Sequence, residues 1–482
     1  MDWSCLGHAM WLVEAAGLRI LCDPLLGPEH HSGVFQTVPR RRVRASALRP
    51  DFILVSHRHP DHFDVPSLHQ LALLDPDSVV VTPDPLVVWA ARALGFRTVH
   101  PLPPGQRVEL DGVRLVTTPS LGVDEWGVMI AAEGAVGWNH VDAVLRGPDH
   151  MKDVKDRALA GVEQSRVDLA VVRWQPMLEI AAVLGRRTGF PYATYGDLLA
   201  QAAAVEAVAV VPGANGAAHV PAFGWMDRFV FPVPEARFLR DLARVCPDAT
   251  GLPLRVGGRY RVAPGQVELD PAGAAALIEL EDEGAMPGVE PALGDVPRSV
   301  SWSEGAGGTE SVPRDRLRRY RPLVMPVLRD PNLGGHDQAR MRTRVHAWIR
   351  QTLADALARA WPGMKISQPL RFVVEVVFPR AHDAFTLHVG PNGTRVSAHY
   401  DDDWDLLNVV AGSMLWEVIE ARRHWGDVLL AGALRAATRA YAVDEHGLRR
   451  ADVAEIFLYY GLPYDEAVEA AVRTEVRSLV GS

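Results

Sequence analysis

The chain has 482 residues, of which 48% are hydrophobic and 23% charged, and its formal net charge is −9. This length favours two domains with ample apolar cores, while the acidic balance disfavours a general nucleic-acid binder, which needs a positive field to neutralise phosphates. No apolar run approaches the roughly 18 residues of a membrane-spanning helix, three scattered cysteines do not form a disulfide framework, and the N-terminus lacks a secretory signal, so we expect a cytoplasmic protein with no membrane partner.

The first half of the chain alternates predicted strands with predicted helices. Apolar runs and turn residues predict strands at 10–13, 18–22, 51–56, 78–82, 107–110, 113–117, 128–132, 135–138, 169–172 and 207–211. Helical periodicity predicts helices at 66–73, 85–94, 151–164 and 195–204. This rhythm is typical of a layered α/β domain.

A Gly-, Pro-, Ser- and acidic-rich stretch at about 283–315 predicts a linker or long loop before a second domain. In that second domain we expect a helix at 341–360, a strand at 372–378, and a hairpin of 385–389 with 394–400. Amphipathic helices are expected to follow, with Asp401 to Asp403 near one helix N-terminus and the last of these helices ending in Leu434-Arg435. The predicted units are residues 1–265, an extension and linker at 266–315, and an α+β unit at 316–482.

The strongest chemical signal follows the apolar run at 51–56. Residues 56 to 62 read Ser-His-Arg-His-Pro-Asp-His, so a tight loop at the end of a buried strand presents three imidazoles and one carboxylate. His57 and His59 can face one metal ion, and Asp61 with His62 can face a second. The spacing therefore predicts a two-metal site rather than a polar surface loop.

This motif resembles that of the metallo-β-lactamase superfamily. The opening Gly7-His8-Ala9 and the stretch Leu21-Cys22-Asp23-Pro24 are similar to its ascorbate-phosphate lactonase-like branch. The resemblance covers about residues 1–265 and implies an αββα sandwich there, followed by the C-terminal α+β unit. It also implies that Asp142, which follows an apolar strand, bridges the two ions.

The chain departs from hydrolytic members of that superfamily where they carry a further histidine for the first metal. Residues 118 to 126 contain none, and Glu125, or failing that Asp124, is the nearest group able to bind. Two imidazoles and a carboxylate suit non-haem Fe(II) with positions open for dioxygen, although zinc sites with these donors also exist. The same carboxylate substitution is found in the diiron β-hydroxylase type of chloramphenicol biosynthesis, which this domain resembles.

A second resemblance is to CMP-sialic acid hydroxylases. It is carried by three stretches and by the tryptophan near the last of them: Asp168-Leu169-Ala170, Phe190-Pro191, 211–216 and Trp225. Those hydroxylases hold a Rieske cluster, which needs paired cysteines and histidines that the three cysteines here do not supply. An external reductant, and with it an electron-transfer partner, is therefore expected.

The last ligand of the second metal is left open by the sequence. His219 and His150 are the candidates, while His8, His30, His31 and His140 are candidates for orienting the ligands. The C-terminal unit is similar to sterol-carrier-like modules, which implies apolar substrate capture or a homodimer.

Three functions compete. The first is a diiron oxygenase of secondary metabolism that uses dioxygen to hydroxylate or N-oxygenate a small-molecule substrate. The second is a dizinc hydrolase of lactonase, esterase or phosphodiesterase type, in which Asp61 orients a metal-activated water. The third is a metal-binding scaffold that has lost catalysis, with the C-terminal unit holding a partner.

Overall fold

The computed structural model describes residues 1–186, 189–214, 216–281, 326–364, 368–444, 447–450 and 456–481. Its N-terminal strands are β1 Asp2–Gly7, β2 Met10–Ala15, β3 Leu18–Cys22, β4 Glu29–His30, β5 Phe35–Thr37, β6 Arg41–Val43, β7 Phe52–Leu54, β8 Val79–Thr82, β9 Val99–Pro101, β10 Arg107–Leu110, β11 Val113–Pro119, β12 Trp126–Ala132, β13 Ala135–Asn139, β14 Leu169–Val172, β15 Ala209–Pro212, β16 Ala217–His219, β17 Thr250–Gly251, β18 Arg259–Ala263, β19 Gln266–Asp270 and β20 Ile278–Leu280. Its C-terminal strands are β21 Leu370–Phe378, β22 Ala381–Gly390, β23 Gly393–Ser397, β24 Leu406–Ala411, β25 Leu434–Thr438, β26 Tyr441–Asp444 and β27 Gly447–Arg450.

The α-helices are α1 Ala45–Leu48, α2 Val65–Leu74, α3 Pro85–Leu94, α4 Pro148–Val162, α5 Glu179–Val183, α6 Tyr192–Ala204, α7 Asp227–Val230, α8 Glu235–Val245, α9 Gln338–Trp348, α10 Ala354–Ala360, α11 Gly412–Ile419, α12 Trp425–Leu430, α13 Leu458–Gly461 and α14 Tyr464–Val480. A π-helical turn at Ile349–Leu353 joins α9 to α10, and 3₁₀ turns lie at Gly224–Met226 and Trp361–Gly363. The single helix predicted over 341–360 is therefore one continuous helical rod with a wider turn in its middle.

Two mixed sheets form the N-terminal sandwich. One has the order β19-β18-β1-β2-β3-β7-β8-β9, and the other has the order β10-β11-β12-β13-β14-β15-β17. Strand β12 shows why they stack, because its side chains alternate between two cores: Val128 and Ile130 face the first sheet, whereas Met129 and Ala131 face α4 and α6. The expected αββα sandwich is confirmed.

Helix ends in the sandwich follow from local sequence. The Asp84 side chain accepts a hydrogen bond from the Leu86 amide at 2.8 Å, Pro85 opens α3, and Gly95 closes it at a φ of 110°. Asp64 caps α2 in the same manner by accepting from the Ser67 amide. These are standard N-terminal and C-terminal signals, which is why α3 begins and ends where the sequence predicts.

The C-terminal part contains a five-stranded sheet of order β23-β22-β21-β24-β25. The predicted hairpin is present as β22 and β23, but the predicted helix after Asp401 to Asp403 is wrong, because the next element is β24, which pairs in parallel with β21. Arg371 lies 2.5 Å from the Asp403 carboxylate and neutralises it where a helix dipole was expected. Leu434 and Arg435 likewise begin a strand, β25, rather than ending a helix.

The two parts of the chain pack against each other. Strand β19 extends the first sheet past residue 265, and β20 pairs with β6, so residues 266–280 belong structurally to the sandwich. Helix α14 packs Val468, Val472 and Val476 into the core formed by α2, α3 and the first sheet. The predicted linker at 283–315 lies outside the described residues, and the domain boundaries stay a prediction. No described helix combines the length and apolarity needed to cross a membrane.

Candidate metal centre

Five loops meet at one edge of the sandwich. They follow β1, β3, β7, β11 and β13, and they carry His8, Asp23, His57, Glu125 and Asp142 respectively. Strands β3, β7 and β8 run parallel in one sheet, and β13, β14 and β15 run parallel in the other. Residues that are distant in sequence therefore lie together at the carboxyl ends of these strands. Two of these positions, His8 and Asp23, have a positive φ, as does Val141 immediately before Asp142. This conformation costs non-glycine residues energy and recurs at functional sites.

The first donor group consists of His57, His59 and Asp142, whose candidate ligand atoms lie within 4.8 Å of one another. His57 Nε2 is 2.8 Å from His59 Nδ1, and on its other side His57 Nδ1 is 2.9 Å from the Ser56 hydroxyl. The Ser56 hydroxyl donates to Asp23, so it is free to accept the Nδ1 proton of His57. His57 Nε2 then presents a lone pair toward His59 and Asp142.

The second donor group consists of His8, Asp61 and His62. His8 Nε2 lies 2.9 Å from Asp61 Oδ2, and His62 Nε2 lies 3.4 Å from that oxygen and 3.3 Å from Asp142 Oδ2. His62 Nδ1 donates to Asp23 Oδ2 at 2.9 Å, which fixes the imidazole with Nε2 facing the two carboxylates. An imidazole held from behind by a carboxylate is the common arrangement of a metal-bound histidine.

The buried carboxylates at this edge of the sandwich favour a positive charge beside them. Burial alone lowers the pKa of His62, but the charges of Asp61, Asp142 and Asp23 raise it well above its usual value. Burial opposes ionisation of Asp61 and Asp142, yet the nearby charge of His62 holds the pKa of both carboxyls below their ordinary range. A bound divalent ion satisfies the same carboxylates, so the residues present fit a dinuclear metal centre.

Unsatisfied buried atoms support that fit. His62 Nε2, His8 Nδ1 and Glu125 Oε1 are buried without a hydrogen-bond partner. Buried polar atoms almost always have one, so an atom left alone beside other donors indicates a missing ligand.

Glu125 lies within electrostatic range of Asp142 and His62 but is not one of the three residues that converge in the first group. Its side chain is buried, and desolvation together with the charge of Asp142 raises its pKa, while a hydrogen bond from Ser120 opposes the rise. Asp124 is engaged elsewhere, because Arg58 holds it at 3.4 Å while also binding Asp84. Of the two carboxylates predicted to replace a histidine, Glu125 is the one facing the site.

A third group joins the two parts of the chain and was not found from the sequence. It consists of His31 from the N-terminal part, His424 at the N-terminus of α12 and Asp427 within α12. His31 Nε2 lies 3.3 Å from Asp61 Oδ1, so this group adjoins the second one. Although burial opposes it, hydrogen bonding to Asp427 and Asp61 raises the pKa of His31 to about 9.

The predicted ligand His219 lies apart from these groups. Its Nδ1 is 2.6 Å from Asp227, its Nε2 is 3.0 Å from the Leu430 carbonyl, and its ring lies 4.1 Å from the Phe35 ring in a tilted arrangement. Both nitrogens are thus occupied, and these contacts do not support His219 as a ligand. The alternative His150, which lies on α4, accepts a hydrogen bond from the Arg146 amide that precedes the helix. The structure brings His8 and His31 to the second position instead.

Comparison with known proteins agrees with this architecture. Residues 3–146 match the model of a beta-lactamase superfamily domain. A protein of Mycolicibacterium smegmatis that carries the name of a Rieske 2Fe-2S iron-sulfur protein is 35% identical over 85 residues, which are 17% of this chain and 16% of that protein. A UPF0173 metal-dependent hydrolase of Salinibacter ruber is 27% identical over 118 residues, 23% of this chain and 44% of that protein. The matches thus span about a sixth of the first relative and under half of the second.

Solved structures with similar folds include two enzymes. CmlA, a diiron beta-hydroxylase from Streptomyces venezuelae, is 16% identical with a TM-score of 0.35, over 54% of this chain and 53% of that one. An isothiocyanate hydrolase from Delia radicum gut bacteria is 15% identical with a TM-score of 0.39, over 55% of this chain and all of that one, at 100%. Within the N-terminal sandwich, residues 3–146 carry the similarity to a beta-lactamase superfamily domain, and the layered strands and helices described above are consistent with it.

Proposed function

We propose that this protein is a diiron oxygenase that uses dioxygen and an external reductant to hydroxylate or N-oxygenate a small organic substrate. The observation that carries the proposal is Glu125, a buried carboxylate with an unpartnered oxygen that lies close enough to Asp142 and His62 for their charges to act on it, in the part of the chain where a third imidazole would favour zinc. A site of two imidazoles and carboxylates suits iron and leaves positions open for dioxygen. An electron-transfer partner and a homodimer remain predictions from the sequence.

Each residue has a defined part in this proposal. His57, His59 and Glu125 would hold one ion, and Asp61 and His62 would hold the other. Asp142 belongs to the group of His57 and His59 and lies 3.3 Å from His62 of the second group. Iron in such a site supplies the binding and reduction of dioxygen. The protein itself orients the imidazoles, through Ser56 behind His57 and Asp23 behind His62. The exposed His59 and the partly exposed Asp142 mark the side from which a substrate reaches the site.

A dizinc hydrolase is the second candidate. It is favoured by the match to proteins named metal-dependent hydrolases over about a quarter of this chain. In that case Asp61, whose carboxylate lies 2.9 Å from His8 Nε2 and 3.3 Å from His31 Nε2, orients the attacking water.

The two candidates are separated by loading the full chain, after removal of metals, with Fe(II) under anaerobic conditions or with Zn(II). For the oxygenase we expect tight binding of two irons, and oxygen uptake in the presence of a chemical reductant. We expect Glu125→His to favour zinc over iron and to abolish oxygen uptake, because it restores a third imidazole. Glu268→Gln, at an exposed position on β19, is the control and leaves both properties unchanged.

Zinc-dependent ester, lactone or phosphodiester hydrolysis without oxygen uptake would establish the hydrolase. Iron loading and oxygen uptake that are unaltered in Glu125→His would remove Glu125 from the site.

A further inference from the structure

The C-terminal part reaches the metal centre through one buried carboxylate. Asp427 on α12 is fully buried, and it accepts hydrogen bonds from His31 Nδ1 and from the Ser32 hydroxyl, each at 3.0 Å. These contacts join residues that are 396 and 395 positions apart. Asp427 therefore fixes the side chains of an N-terminal loop from outside the sandwich.

Arg423 fixes the backbone of the same loop. It donates to the carbonyl of Ser32 at 2.9 Å and to the carbonyl of His31 at 3.4 Å, and it is held in turn by Glu417 at 2.6 Å. His31 and Ser32 both have a positive φ, 53° and 51°, which residues with side chains adopt only when surrounding contacts impose it. The conformation that presents His31 thus depends on the C-terminal part.

The direction of the His31 proton decides what its other nitrogen can do. Because Nδ1 donates to Asp427, a neutral His31 has a lone pair on Nε2, and that nitrogen lies 3.3 Å from Asp61 Oδ1. This geometry allows a neutral His31 to bind a cation through Nε2 beside the Asp61 carboxylate. The arrangement repeats that of His62, which has Asp23 behind Nδ1 and carboxylates in front of Nε2.

We propose that Asp427 is a positioning residue that orients His31 as a further ligand of the second metal position, beside His8, Asp61 and His62, so that the C-terminal part completes the metal centre. The inference rests on the proposed function only in requiring that this cluster binds metal. A carboxylate behind a metal-bound imidazole fixes its tautomer and increases its basicity.

The group formed by His31, His424 and Asp427 is support for this position rather than a separate metal site. His424 Nδ1 accepts a hydrogen bond from the Gly426 amide at 3.1 Å. A neutral His424 therefore carries its proton on Nε2 and has no lone pair there to offer an ion. His31 is the member of the group that can face a metal.

The test uses the metal-free full chain and competes Zn(II) or Co(II) against a chromophoric chelator. In Asp427→Asn we expect the second ion to bind about 10- to 100-fold more weakly, the first ion to bind as in wild type, and the visible spectrum of bound Co(II) at the second position to change. Asp330→Asn is the matched control, because Asp330 is also buried in the C-terminal part but accepts from Ser413 and Asn332 only. A merely structural role would change unfolding in both variants without changing the Co(II) spectrum.

His31→Ala provides a second variant that leaves Asp427 and its partner Arg423 in place, and we expect the same weakening of the second ion. An unchanged second affinity and Co(II) spectrum in both Asp427→Asn and His31→Ala would overturn the proposal while leaving the proposed function intact. A wild-type chain that binds neither ion would overturn both, and the wild-type titration alone reveals that outcome.

Discussion

Asp23 gives the sharpest test of how the imidazoles are held. Its carboxylate is 2% exposed and accepts from the Ser56 amide at 2.8 Å, the Ser56 hydroxyl at 2.9 Å and His62 Nδ1 at 2.9 Å. In Asp23→Asn the shape is kept, but the amide group must turn N–H bonds toward either the Ser56 amide or His62. One donor then faces another, and the charge that polarises His62 is lost.

The magnitude follows from those contacts. A buried hydrogen bond to a charged group contributes about 1.5–3 kcal/mol, so we expect the free energy of unfolding of the metal-free protein to fall by about 2 kcal/mol. Loss of the carboxylate behind a metal-bound histidine weakens metal affinity by about 10- to 100-fold, or about 1.4–2.7 kcal/mol. The first quantity is measured by urea unfolding and the second by chelator competition.

Asp168→Asn separates stability from metal binding. Asp168 is about as buried as Asp23, and its two oxygens accept hydrogen bonds from the Gly265 and Val136 amides at 2.7 and 2.8 Å. Neither partner belongs to the metal-donor groups. We expect a similar loss of stability with unchanged metal affinity. If Asp23→Asn loses stability but binds both ions like wild type, Asp23 does not orient a ligand and the assignment of His62 fails.

Two further predictions concern packing and acid stability. Gly137→Ala places a methyl group against the buried Trp3 ring between the sheets and should destabilise the protein by about 1–3 kcal/mol in urea unfolding, whereas Gly196→Ala, which meets open space on α6, should not destabilise it. Although burial favours the neutral form of Asp383, hydrogen bonds from Arg342 and His346 hold the pKa of its carboxyl below the usual 3.8. The contribution of Asp383 to stability is therefore present above pH 3.8 and is lost as the pH falls through the folded-state pKa. Asp383→Asn should therefore flatten the loss of stability below about pH 4 in urea unfolding followed against pH, and an unchanged acid limb would contradict this.

The sandwich could be predicted from the sequence because local signals and tertiary packing agree there. Strands β10 and β14 and helix α3 have the predicted bounds, since turn residues, caps and apolar periodicity all indicate the same limits. The helix predicted after Asp401 to Asp403 is absent because acidic residues favour a helix N-terminus only when no basic side chain neutralises them. Here Arg371 supplies one, and Leu406–Ala411 pairs with β21 instead.

The candidate site was predictable where its residues are close in sequence or, as for Asp142, match the pattern of the family that the chain resembles. The loop from His57 to His62 carries its own spacing, but nothing in the sequence relates Asp427 to His31, and their contact depends on the packing of α12 against the loop. His219 was a candidate for the last ligand of the second metal, yet Asp227 lies only eight positions away and occupies its Nδ1. A histidine with a nearby carboxylate in its own loop is more easily satisfied locally than drawn to a distant ion.

The central claim is that two metal ions occupy adjacent positions built from these donor groups. Elemental analysis of the full-length protein, after metal removal and reconstitution with excess ion, tests it most directly. The account predicts two ions per chain in the wild type, with one retained when Asp61 and His62 are both replaced by alanine. A wild-type chain that retains no ion, or a double variant that still retains two, would contradict it.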